Sequence, residues 1–300
     1  MTELFERVSK VVPVTILSEN EPASAHTTFA IGGPCTLWAA PESVEQIVKL
    51  VTFSIEEKIP YLILGKGSNV LFSDEGFDGL VIGIGKAFSK VEADGTRLIA
   101  QAGVPLSRLA NIAWEQSLTG LEFASGIPGT LGGAIVMNAG AYGGEMKQVV
   151  EKVVLLSESG EIMELSGKEM NFSYRHSRIK ESGGIVLSVI LSLNSGNREE
   201  IRNKMTELNQ KRKEKQPLEY PSAGSTFKRP EGYFAGKLIE DSGLSGYQIG
   251  KAQVSPKHNG FVVNLGGATS EDVKKLIEEI QKRVYETSGV SLEREVIYLP

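Results

Sequence analysis

Gly65-Lys66-Gly67-Ser68-Asn69 gathers glycine, lysine, serine and asparagine into one turn. Consecutive backbone amides in such a turn can cradle phosphate oxygens, and Ser68 and Asn69 could add side-chain bonds. It is not the dinucleotide fingerprint, because Val70 stands where the third glycine belongs. Nor does a Gly-Lys-Ser/Thr follow a glycine at the spacing of a nucleoside-triphosphate loop. An ordinary β-turn is the alternative reading. A denser run follows: Gly126-Ile127-Pro128-Gly129-Thr130, then Gly132-Gly133, then Asn138-Ala139-Gly140-Ala141-Tyr142-Gly143-Gly144. Backbone without Cβ atoms can approach a flat ring or a pyrophosphate. Tight packing between domains is the competing use.

Tyr174-Arg175-His176-Ser177-Arg178 places two guanidinium groups three residues apart beside a tyrosine. Arginine binds carboxylate through two bonds and keeps its proton, though a solvated loop would look the same. Ser222 to Pro230 is a polar turn in which a serine hydroxyl could donate a proton; no Gly-x-Ser-x-Gly elbow is present. Glu293-Arg294-Glu295 falls in a C-terminal strand, where alternation sets both carboxylates on one face. They gain interest only if that strand returns to the glycine-rich segments. Lys211 to Lys215 reads as a solvated helix face. His26, His176 and His258 lack metal-ligand spacing, and the one cysteine, Cys35, can form no intramolecular disulfide.

The elements that must position these residues alternate between strand and helix. A short helix is expected over 1–12 and irregular chain over 13–30. Cys35–Ala40 reads as a strand. Ser43, with Gln46 three residues on, opens a helix to about Lys58. Strand Tyr61–Leu64 delivers the chain to Gly65. Further strands are expected at Leu80–Ile84, Arg97–Ala102, Val150–Leu156, Ile162–Leu165 and Ile185–Leu193, with a helix at Leu106–Gln116. Glu158-Ser159-Gly160 makes a hairpin of Val150–Leu156 and Ile162–Leu165. After a polar break at Asn194–Arg198, a helix spans Glu199–Lys215 with Ile201, Met205 and Leu208 as its apolar stripe. The last third reads as glycine-rich loops, a strand at Gly260–Asn264, a helix from Thr269 or Ser270 to Gly289, and a strand at Glu293–Leu299.

Composition narrows the class. The 300 residues carry 32 basic and 37 acidic side chains, a net charge of −5, which disfavours a generic nucleic-acid binder. The N-terminus has no apolar signal core, and no run approaches the ~20 apolar residues of a membrane span. A cytoplasmic protein is expected. No exposed apolar stripe demands a second copy, so a monomer is expected. Glycine is abundant, 33 of 300, and concentrates around the turns above rather than in a linker.

The segments GKGSN, GIPGTLGG, MNAGAYGGE, YRHS, AGSTFKRP, HNGFVVN and LEREV occur in this order, and TTFAIGG (Thr27–Gly33) precedes them. The ensemble resembles the UDP-N-acetylenolpyruvoylglucosamine reductase (MurB) family over nearly the whole chain, in its shorter form. The insertion that brings a substrate-covering tyrosine in the longer form has no counterpart here. The resemblance implies an α+β fold: a two-subdomain FAD-binding module of the vanillyl-alcohol-oxidase (PCMH) type, then a C-terminal α+β substrate domain. The expected divisions are 1–85, 86–194 and 195–300.

The same resemblance implies FAD on Gly65, Lys66, Gly67, Ser68 and Asn69, and on Gly126, Ile127, Pro128, Gly129, Thr130, Gly132, Gly133 and Asn138. It implies NADPH as hydride donor and UDP-N-acetylglucosamine enolpyruvate as the molecule reduced. Ser225, Arg175 and Glu295 match the family's catalytic positions. Ser225 would protonate the α-carbon, Arg175 would hold the substrate carboxylate, and Glu295 would share a proton or hydrogen bond there. Tyr174 and Arg229 are the expected holders of substrate diphosphate or sugar. The competing classes are an oxidase or dehydrogenase of the same fold, and a non-enzymatic FAD- or nucleotide-sugar-binding protein.

Overall fold

A computed structural model describes residues 2–300. The expected N-terminal helix forms over Glu3–Val8, with Thr2 as its cap; the part of that expectation at Met1 lies outside the described residues. Two compact units are present, and they are not consecutive in sequence. One comprises residues up to Glu19, Leu37–Lys66 and Gly79–Arg212; the other comprises Asn20–Thr36, Gly67–Asp78 and Lys213–Pro300. These boundaries cut across consecutive divisions at 85/86 and 194/195, because two early segments belong with the C-terminal third.

In the first unit, strand Tyr61–Leu64 lies parallel to Leu80–Gly83 of the strand Phe77–Gly83, with Tyr61 opposite Leu80 and Leu64 opposite Gly83. Leu17–Pro22, Pro34–Ala39, Phe77–Gly83 and Tyr61–Leu64 form a sheet in that order. The helix Val44–Glu56 buries Ile47, Leu50 and Val51. Ser43 caps it by accepting from Gln46 N at 3.2 Å, while the Gln46 side chain reaches back to Glu42 N at 2.7 Å. A five-stranded antiparallel sheet runs Ile162–Ser166, Val150–Leu156, Ile185–Ser192, Arg97–Gln101, Val91–Asp94. The hairpin foreseen at Glu158–Gly160 is present, with Leu156 opposite Ile162. Helix Leu106–Glu115 buries Leu106, Leu109, Ala110 and Ala113. Helix Arg198–Lys215 buries Ile201, Met205 and Leu208.

In the second unit, Gln248–Ile249, Ala252–Val254 and Val262–Asn264 form a small antiparallel sheet. Helix Ser270–Ser288 packs on it, burying Val273, Leu276, Ile277, Ile280 and Val284. Full burial of each such side chain stabilises by about 1.5–3 kcal/mol. Thr269 and Asp272 form its capping box, and Gly289 closes it in the left-handed region. Val70–Phe72 pairs in parallel with Ile297–Leu299.

Some expectations need correction. Residues 13–30 are not irregular throughout, since Leu17–Pro22 is a strand. The glycine-rich run contains a helix, Leu131–Val136. The loops of the last third contain another, Ala235–Asp241. The final strand is confined to Ile297–Leu299, with a single bridge between Arg294 and Phe227 before it.

Candidate active site

The first unit joins the two glycine segments. Strand Tyr61–Leu64 ends at Gly65, which lies against Thr130, the residue that precedes helix Leu131–Val136. The approach is so close that a Cβ on Gly65 would stand 2.3 Å from Thr130 Oγ1. Gly126 is confined in the same way by helix Arg198–Lys215: its Cβ would stand 2.5 Å from Asn209 Oδ1 and 3.1 Å from Arg212 Cδ. Glycine at both positions lets backbone pass where any side chain would collide. Gly132 lies against Ala102, and its N–H donates to Ala102 O at 2.8 Å. Gly133 is exposed, with Thr130 Oγ1 the nearest atom to its open side, at 3.7 Å. Ile127 N donates to Ala124 O at 3.1 Å, and Gly129 O accepts from Leu106 N at 3.1 Å. Ile127, Pro128 and Gly129 are partly exposed between these anchors.

Arg212 is a residue that sequence reasoning missed. It is half-buried, and burial pushes its guanidinium towards easier proton loss. Among the described residues, no hydrogen bond or ion pair holds it. Asn209 donates to Ser125 Oγ at 3.2 Å and lies three residues away on the same helix. That spacing sets both on one face. It was the available signal, concealed by reading Lys211 to Lys215 as a solvated basic face.

Past the far end of helix Leu131–Val136 is a second cluster. At about 1.5 Å per residue, the helix spaces it about 9 Å from Thr130. Asn138 is fully buried. Its Nδ2 donates to Glu145 Oε2 at 3.0 Å and to Ser173 O at 2.9 Å, and its Oδ1 accepts from Lys147 N at 2.9 Å. Ser173 and His176 exchange backbone bonds of 3.1 and 3.2 Å, leaving Tyr174 and Arg175 at the tip of a tight turn. Arg175 has φ +54°. Its Nη2 donates to Gly140 O at 3.2 Å, and its guanidinium carbon lies 5.0 Å from the centre of the Tyr174 ring.

The second unit holds the other residues singled out from the sequence. Gly67 is buried with φ +58°, and its carbonyl accepts from Thr28 N at 3.1 Å. A Cβ there would stand 2.9 Å from Thr27 Cα, so the TTFAIGG segment lines this turn. Asn69 Nδ2 donates to Glu295 O at 3.1 Å, and Asn69 O accepts from Ile297 N at 3.0 Å. The C-terminal strand therefore does return to a glycine-rich turn. The amides of Gly67, Ser68 and Asn69 donate to no acceptor among the described residues. Amides without a protein acceptor must be met by water or by a ligand.

Ser225 is exposed and follows Gly224, which has φ +76°. Thr226 beside it is buried and tied on both sides. Its N–H donates to Gly260 O at 2.9 Å, its Oγ1 accepts from Val262 N at 3.0 Å, and its carbonyl accepts from Glu295 N at 2.9 Å. The backbone beside Ser225 is thus bonded directly to the backbone of half-buried Glu295. Glu293 is exposed and pairs with Lys228. Arg229 lies on an exposed loop, its Nε bonded to Tyr233 O at 3.2 Å and its guanidinium 4.0 Å from the Phe234 ring centre. Lys66 is exposed at the first unit's edge of the Gly65–Asn69 turn.

Comparison with known proteins places this arrangement. Residues 36–166 match the FAD binding domain family, and residues 216–299 match UDP-N-acetylenolpyruvoylglucosamine reductase, C-terminal domain. The two matches and the sheets described above define an FAD-dependent oxidoreductase with a separate C-terminal domain. A relative from Caldanaerobacter subterraneus subsp. tengcongensis, a UDP-N-acetylenolpyruvoylglucosamine reductase, is 55% identical over 98% of this chain and 97% of its own. The crystal structure of that reductase from Thermus caldophilus superposes with a TM-score of 0.81 at 35% identity, covering 95% of this chain and 98% of that one. An alkyldihydroxyacetonephosphate synthase shares the fold alone, with a TM-score of 0.50 at 16% identity over 65% of this chain and 41% of its own. The chain belongs to the UDP-N-acetylenolpyruvoylglucosamine reductase family. The residues present in each unit fit FAD: in the first, the half-buried Arg212 guanidinium has no hydrogen-bonded or ion-paired partner among the described residues, and Ile127, Pro128 and Gly129 are partly exposed; in the second, the amides of Gly67, Ser68 and Asn69 are open.

Proposed function

We propose that this chain reduces UDP-N-acetylglucosamine enolpyruvate to UDP-N-acetylmuramate in peptidoglycan precursor synthesis, as a monomer in the cytoplasm, with NADPH as hydride donor. Residues 1–85 and 86–194 supply most of the FAD site in this reading, and residues 195–300 supply most of the substrate site. The observation that carries it is the backbone bond from Glu295 N to Thr226 O, together with Asn69 Nδ2 on Glu295 O. These bonds bring the Ser225 turn, the Glu295 segment and the Gly67–Asn69 turn into one framework.

FAD held by these loops would supply the hydride, received from NADPH, that turns the enol-ether methylene carbon into a methyl group. Negative charge then develops on the α-carbon and the carboxylate. Arg175 holds that carboxylate and offsets the charge, an effect worth about 3–4 kcal/mol where a donor is aimed in advance. Ser225 Oγ–H gives the proton to the α-carbon, and Glu295 shares a hydrogen bond at the same point. Gly65, Lys66, Gly67, Ser68 and Asn69 hold the cofactor diphosphate through their amides. Gly126, Ile127, Pro128, Gly129, Thr130, Gly132 and Gly133 form the wall beside it. Arg212 adds a cation to that wall. Tyr174 and Arg229 contact the substrate's diphosphate or sugar.

Ser225→Ala tests the assignment. The variant is expected to bind FAD and to be reduced by NADPH, yet to lose turnover. Reoxidation of its flavin by substrate at the normal rate would refute Ser225 as the donor.

A further inference from the structure

Asn138 was expected to touch the cofactor, but its side chain is occupied elsewhere. An asparagine amide has two N–H donors. Both are engaged, one by Glu145 Oε2 and one by Ser173 O. The bond to Ser173 fixes one end of the turn whose tip is Tyr174-Arg175. The other end is fixed by Ser177, whose Oγ donates to Val136 O at 2.8 Å and which is itself fully buried. Arg175 occupies left-handed backbone, a conformation that costs a non-glycine residue about 1–3 kcal/mol and persists only where the surroundings impose it. The Arg175 guanidinium bonds to Gly140 O, in the short hairpin Gly140–Ala141 with Gly144–Glu145. That hairpin ends at Glu145, the other acceptor of Asn138. One buried side chain therefore fixes both the base of the Arg175 turn and the hairpin that its guanidinium bonds.

We infer that Asn138 is the positioning residue of Arg175, holding its guanidinium where the substrate carboxylate must be met, and is not a cofactor ligand. The inference rests on the reading that Arg175 binds that carboxylate.

The test turns the Ser173 bond into a repulsive contact between two acceptor oxygens and keeps the other ties. Aspartate at 138 has no N–H to donate, but its carboxylate still accepts from Lys147 N. Glutamine at 145 can donate to that carboxylate while its own oxygen accepts from Gln148 N, as Glu145 does now. The double variant Asn138→Asp/Glu145→Gln thus keeps the hairpin tie and loses the tie to the Arg175 turn. It is expected to bind FAD normally and to be reduced by NADPH at the normal rate. Its KM for UDP-N-acetylglucosamine enolpyruvate should rise and kcat/KM should fall about 10- to 100-fold, the scale of a misplacement near 1 Å. Trypsin should cut after Arg175 faster than in the parent, read by mass spectrometry on the FAD-loaded protein. Added to Arg175→Lys, the double variant should cause no further loss, because the residue it positions is already gone. A parallel fall in FAD affinity, unchanged substrate kinetics, or multiplied losses in the combined variant would each overturn the inference. Unchanged activity in Arg175→Lys alone would instead overturn the carboxylate role of Arg175, while the trypsin rate would still report on the positioning.

Discussion

Alanine at Gly65 perturbs the junction on which the cofactor reading depends. Gly65 is outside the left-handed region, so its backbone accepts alanine and the cost is steric. The new Cβ would stand 2.3 Å from Thr130 Oγ1. Ordinary non-bonded contact lies near ~3.5 Å, so the two segments must part by about an ångström. Overpacking of this kind costs about 1–3 kcal/mol. If the loops part at the cofactor diphosphate, FAD affinity falls by about 5- to 150-fold. Thr130→Ala removes the obstructing oxygen and leaves Thr130 Cβ at 3.5 Å, an ordinary contact. Gly65→Ala should therefore be damaging in the parent and nearly neutral beside Thr130→Ala. Flavin fluorescence quenching and thermal unfolding of the four proteins of this cycle measure the coupling. Parent-like FAD affinity and melting in Gly65→Ala would refute the reasoning. So would an equal loss in both backgrounds, which would mean that Thr130 is not the group encountered.

Thr226→Val keeps the shape of a buried side chain but leaves Val262 N–H without its acceptor, which should lower stability by about 1–3 kcal/mol; an unchanged denaturation midpoint would contradict this. Burial pushes the His258 imidazole below its ordinary proton affinity, and its Nδ1 accepts from Gly260 N at 3.2 Å, so the folded ring is neutral. Between the unfolded value of about 6.5 and the lower folded value, the unfolded chain binds more protons. The stabilisation is thus complete above about pH 6.5 and is lost as pH falls towards the folded value. Urea titrations of the parent and His258→Gln from about pH 7.5 to 5 should differ in slope, and identical slopes would remove His258 from the account. Cys35 is fully buried, and burial pushes its thiol up to about 11, with Glu21 adding to the rise. It should resist thiol reagents until the protein unfolds, and rapid labelling of the native protein would contradict its placement.

Local signals were legible in the sequence. Ser43 with Gln46, and Thr269 with Gly289, marked helix ends that the structure keeps within a residue or two. Glu158-Ser159-Gly160 marked a hairpin whose register is regular. The helix Leu131–Val136 was hidden because Gly132 and Gly133 lower helix propensity; packing against Ala102 and neighbouring strands outweighs that cost. The parallel pair of Val70–Phe72 with Ile297–Leu299 joins segments more than two hundred residues apart, which no window of sequence can show. The same holds for the interleaved units. Among the site residues, the glycine turns and the Ser225 and Arg175 segments were visible as types in order. The burial of Asn138 against Ser173 was not, because an asparagine between glycines reads equally as ligand or as tether. Arg212 was overlooked because charge runs on helices are usually solvated, and only the approach of Gly126 shows that its stem is covered.

The most direct measurement is anaerobic NADPH oxidation by the FAD-loaded protein, with and without UDP-N-acetylglucosamine enolpyruvate. The account predicts one equivalent of flavin reduction without the sugar nucleotide, and sustained oxidation with UDP-N-acetylmuramate formed in equal amount when it is present. Oxidation that stops after one equivalent in both cases would contradict it.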